Sequence, residues 1–167
     1  ILWGRYSGNN PAKGVKFYRE EARTRFLEKE EIAKLIASCP EPLRSVVIVA
    51  VNTGMRRGEI TGLKWHDIDM RRGVIHLYRT KNNERRDVPM NDAVRRVIIR
   101  MPKRPNSPHV FTYPDGRPYR VVDRPLRKLL KKLEIADFRF HDLRHTFASN
   151  LVMAGEGNAG RFGGPAG

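Results

Sequence analysis

Cysteine is almost absent from this 167-residue chain, with Cys39 the single one. An internal disulfide is therefore excluded, as fits a reducing compartment. Cys39 sits beside Pro40 at the end of a helical pattern, where inert packing is its expected role. No apolar run approaches the roughly 20 residues that cross a bilayer, and the start carries no signal-peptide pattern. No membrane partner is expected, and a cytoplasmic location is. Internal repeats are missing too. His66 and His76 lack companions at metal-ligand spacing and are read as structural, so neither a metal nor another cofactor is expected. Acidic residues are scarce: 18 Asp and Glu face 33 Lys and Arg, leaving a net charge of +15.

That surplus, with a pI near 10.6, implies a polyanionic partner, most often nucleic acid. The length suffices for one domain with a real core. Residues 1–23 carry Gly-Asn-Asn-Pro and no sustained period, which reads as a linker. The abrupt opening on Ile1-Leu2-Trp3, without Met, suggests an element missing upstream. Residues 155–167 hold six glycines and almost nothing to bury, so a disordered tail is expected there.

Between these ends the pattern is mostly helical. Ile32, Leu35 and Ile36 mark a first helix from Leu27, with Glu28, Glu30 and Glu31 in its favourable N-terminal turn. PLRSVVIVAVNTG is apolar almost all round, which places it in the core, and Gly54 closes it. MRRGEITGLKW reads as a third, short helix. On 100° stepping, Arg56 shares a stripe with Glu59, Ile60 and Leu63 and is expected to point inward, held by Glu59. A plain ion pair would explain that spacing as well as a functional role. Arg57 lies about a quarter-turn away, facing solvent or a DNA backbone.

HDIDMRRG is expected to be a turn. GVIHLYRT and RDVPM alternate like two strands of a β-hairpin, with Lys81, Arg85 and Arg86 at or near its tip. Such a tip is often merely solvated. Asn91 resembles an N-cap for a helix burying Val94, Val97, Ile98 and Met101. Five prolines make 102–120 a loop with at most a short strand at His109-Val110-Phe111. Asp123 and Pro125 open a further helix with Leu126, Leu129, Leu130 and Leu133 inward. Its Arg127, Lys128, Lys131 and Lys132 track a phosphate backbone or form a solvated face.

The last helix, in FHDLRHTFASNL, puts Leu143, Phe147, Leu151 and Ala154 on one stripe and His141, Arg144, His145 and Ala148 on another. A cation cluster at a helix start opposes the macrodipole, so stability explains it poorly and a phosphate site explains it better.

In this order, T-G-x-R-x-x-E at Thr53–Glu59, TKNNERRDVPM, and H-x-L-R-H at His141–His145 resemble the catalytic domain of tyrosine recombinases, the phage-integrase family. The likeness spans about residues 24–154. The stretch from Trp3 to Lys16 resembles the linker that follows that family's core-binding domain. The resemblance implies an α+β, mostly helical fold with a small antiparallel sheet on one edge. It implies double-stranded DNA and other recombinase protomers as partners, in a bacterial or phage-encoded, nucleoid-associated protein. It also implies metal-independent strand breakage and rejoining through a 3′-phosphotyrosyl intermediate. Arg56 and Arg144 match the family's catalytic arginines, Lys81 its lysine and His141 its first histidine, with Glu59 and His145 supporting. Arg57, Arg85, Arg86, Arg127 and Lys128 are candidates for the DNA backbone.

The chain departs from the pattern near Gly155. The family continues with an L-G-H segment and the nucleophilic tyrosine, whereas Tyr6, Tyr18, Tyr78, Tyr113 and Tyr119 all precede Arg144. The expectation is a recombinase catalytic domain, incomplete at both ends, that binds DNA but does not cleave it alone. A DNA-binding or regulatory remnant is the alternative. A metal-dependent nuclease is disfavoured, because no carboxylate cluster accompanies the histidines.

Overall fold

The structure, a computed structural model, describes residues 25–78 and 85–155. The linker expected over 1–23, Lys81 and the tail beyond Gly155 lie outside the described residues.

Helix α2 (Leu43–Thr53) is the centre of the fold, as its unbroken apolar sequence requires. Leu43, Val46, Val47, Val49 and Ala50 are buried around its circumference. Helices α1 (Lys29–Ser38), α3 (Arg57–Thr61), α4 (Asp92–Arg100) and α6 (Asp142–Gly155) pack against it. Helix α5 (Asp123–Lys132) packs on α1 and buries Leu126 and Leu130. Asn91 caps α4 as expected, its side-chain oxygen accepting from the Val94 N–H at 3.0 Å.

The expected hairpin forms from β2 (Val74–Leu77) and β3 (Arg86–Pro89), paired antiparallel with Leu77 opposite Arg86. The stretch expected to be only a turn holds more. Trp65–Asp67 form a 3₁₀ turn, and Ile68–Asp69 form β1, an edge strand paired with β2. Two residues are too few for period-two alternation to show, so tertiary pairing alone defines this strand. The proline-rich segment holds only isolated bridges, Lys64 to His109 and Thr112 to Pro118. The result is a mostly helical α+β domain with a small antiparallel sheet. Among the described residues, no helix is long and apolar enough to cross a membrane.

The apolar stripe expected along α6 is only half right. Leu143 is buried and Phe147 half-buried, but Leu151 is 55% exposed and Ala154 is exposed. The inward face instead includes Asp142 and Thr146. Thr146 tolerates complete burial because its hydroxyl is used twice. It donates to the Asp142 carbonyl at 3.0 Å and accepts from the Leu27 N–H at 3.1 Å. A count of apolar residues passes over such a position.

Candidate active site

The site begins where α2 ends. Gly54 adopts φ 60°, the left-handed conformation that glycine takes without penalty, and its N–H closes the helix on the Ala50 carbonyl at 3.0 Å. The turn sends the chain to Arg56. The Gly54 carbonyl, at the electronegative end of α2, accepts from Arg144 Nη1 at 2.8 Å. One glycine thus brings together two arginines separated by most of the chain. Arg144 uses one of its five N–H donors in this contact, and the remainder of its fork is available to an anion.

Arg56 is not inside a helix. It occupies the N-cap of α3 with extended backbone (φ −69°, ψ 150°), so helical stepping does not apply to it. Its side chain is 49% exposed rather than turned into the core. The expected partner is in place: Glu59 Oε2 accepts from the Arg56 N–H at 2.7 Å and Oε1 from Arg56 Nη1 at 3.2 Å. Glu59 is the more shielded member, its side chain 9% exposed. A second guanidinium reaches it, Arg86 Nη2 donating to Oε2 at 3.0 Å from β3.

At the start of α6 the backbone donors are satisfied locally. Asp142 Oδ2 accepts from the Arg139 N–H at 2.7 Å, while the Leu143 and Arg144 N–H groups donate to the Phe140 and His141 carbonyls. Anion recognition there belongs to side chains rather than to free backbone N–H groups. His141 is exposed just before α6, with its ring edge-to-face with His145 at 5.4 Å and 80°.

Arg56, His141 and Arg144 line one cleft of about 750 Å³ between α3, α5 and the start of α6. Arg57 lines it too, half-exposed and ion-paired with Asp123 of α5, as does the exposed Arg127. Lys128 is exposed further along α5. Arg85 stands over the Tyr78 ring at 5.4 Å, and Arg86 is turned to Glu59. His66 and His76 have carboxylate partners, Asp67 at 3.1 Å and Asp87 at 2.8 Å. Hydrogen bonding to His76 holds the Asp87 carboxyl below the usual range.

None of the described tyrosines lines this cleft. Tyr119 is buried, which pushes its phenol up to about 12, far from a phenolate at neutral pH. Burial likewise raises the Cys39 thiol to about 11, in keeping with inert packing.

An extended-loop arginine buttressed by a part-buried carboxylate, an H-x-L-R-H helix start and an adjoining basic hairpin define a class, and direct comparison agrees. The profile of the phage integrase family matches residues 25–158, and the chain belongs to that family. It is 44% identical over 150 residues to the integrase of Salmonella phage P22, covering 80% of this chain and 38% of that one. It is 38% identical over 110 residues to the shufflon-specific DNA recombinase of Escherichia coli, covering 66% and 27%. The chain thus spans less than half the length of either curated relative. Among solved structures, XerA recombinase superposes with a TM-score of 0.68 at 26% identity, covering 83% of this chain and 53% of that one. A lambda integrase dimer bound to a COC′ core site gives 0.70 at 21%, covering 86% and 45%, a likeness of fold.

Proposed function

We propose that this chain supplies the phosphate-activating part of a site that breaks and rejoins DNA strands. Its partners are double-stranded DNA and further recombinase protomers, in the cytoplasm. The observation that carries this reading is the convergence of Arg56, His141 and Arg144 on one cleft. A phosphodiester under attack becomes a pentavalent phosphorane with negative charge on its non-bridging oxygens. Two planar guanidinium forks can each meet that charge with paired N–H donors, and both are already oriented by protein acceptors. His141, whose imidazole lines the same cleft, is the proposed proton-transfer group. Lys81 is the proposed donor of the proton that the departing 5′-oxygen takes up.

The attacking phenol is not among the described residues that line the cleft. It would form the P–O bond as the 5′-oxygen leaves, and no residue of these 167 supplies it from beyond Arg144. The proposed source is a tyrosine outside this sequence, such as that of another protomer. A nicked suicide duplex mixed with this chain alone is therefore expected to give no protein–DNA adduct by denaturing electrophoresis. A covalent adduct at any residue would sink the reading. The +15 charge and the basic cleft also accommodate a second reading, a regulatory domain that only binds DNA. Binding alone tolerates lysine at Arg56 and Arg144, whereas transition-state contact does not.

A further inference from the structure

Glu59 is a single part-buried carboxylate approached by two guanidiniums from different elements. Arg56 reaches it from the N-cap of α3 and Arg86 from the first residue of β3. A carboxylate whose side chain is only 9% exposed is costly to shield from water unless its oxygens are well partnered. Arg56 alone partners it unevenly, with a close backbone N–H at 2.7 Å on Oε2 and a long side-chain contact of 3.2 Å on Oε1. Arg86 adds a charge-assisted bond of 3.0 Å to Oε2. With Oε2 held from two directions, the plane of the carboxylate is fixed and Oε1 is aimed at Arg56. Without Arg86 the carboxylate can swing about its last torsion, a broad and weakly restrained one. The half-exposed Arg56 would then swing with it.

Building on the function proposed above, we infer that Arg86 is a positioning residue: through Glu59 it sets the orientation of the Arg56 guanidinium. The same contact ties the sheet to the cleft. Arg86 pairs with Leu77 in the last rung of the hairpin ladder before residues 79–84, so α3 and the root of the hairpin share one carboxylate. Arg86 thereby leaves the set of candidate backbone contacts and joins the machinery behind Arg56.

The test reads Arg56 without DNA. Rotation of its guanidinium about the Nε–Cζ bond is measured by 15N NMR in the intact 167-residue chain. Arg86→Gln should speed that rotation by about tenfold, the order expected on losing the restraint of one charge-assisted bond. Arg86→Met, which keeps the apolar stem, should do the same if the glutamine variant folds poorly. Arg86→Lys should restore most of the restraint. In a Glu59→Gln background, Arg86→Gln should add nothing, because the path runs through that carboxylate. Rotation unchanged in both Arg86→Gln and Arg86→Met, or speeded equally with and without Glu59, would overturn the assignment. Wild-type failure in the DNA experiments would instead count against the proposed function and leave this measurement standing.

Discussion

At the scale of single residues, Gly54 links the two arginines of the cleft. Its left-handed turn delivers Arg56, and its carbonyl holds Arg144. A Cβ there would lie 2.4 Å from Phe147 Cδ1, on a backbone that L residues adopt only with strain. Gly54→Ala is therefore expected to destabilise the fold by about 2 kcal/mol or more, read from the urea midpoint. Adding Phe147→Ala should recover the steric part and leave the backbone part. The residues that line the cleft were legible in the sequence as T-G-x-R-x-x-E and H-x-L-R-H, since Arg56, His141 and Arg144 do come together there. The orientation of Arg56 was not. Arg56 stands one position outside its helix, so helical spacing points it inward although its side chain is half-exposed.

At the scale of elements, legibility followed pattern strength. Helices α2, α4 and α5 were evident from apolar spacing and caps, and β2 with β3 from alternation. Strand β1 and the polar inner face of α6 were not, since two-residue pairing and a doubly bonded threonine leave no hydrophobic trace. The proline-rich segment is fastened back to the stretch that follows α3 through His109, bridged to Lys64. Burial, with the charges of Lys64 and Arg120, holds the His109 imidazole below the usual histidine range. On acidification the unfolded chain takes up this proton before the folded one does. The contribution is thus complete above the unfolded value, near 6.5, and is lost as pH falls through the folded one. His109→Gln is expected to flatten the decline of the melting temperature below about pH 6.5. An unchanged slope would show that His109 titrates as it does when unfolded.

At the scale of the whole molecule, the +15 charge and the basic cleft predict affinity for DNA dominated by the phosphate backbone. If about five phosphates are contacted, log K against log[salt] should slope near −4.5. Neutralising Arg127 or Lys128 should each reduce that slope by about 0.9, with little effect on folding because both are exposed. A flat profile would count against backbone recognition. Affinity does not, however, separate a site that activates phosphate from one that only grips it. The decisive measurement supplies a nucleophile from solution: hydroperoxide, with a pool of nicked duplexes of randomised sequence, and strand cleavage compared with binding for the wild type, Arg56→Lys and Arg144→Lys. Cleavage by the wild type that falls about 100-fold or more in both variants, while binding changes only a few-fold, is the predicted result. No wild-type cleavage above background, or cleavage that falls only in proportion to binding, would contradict a phosphate-activating site.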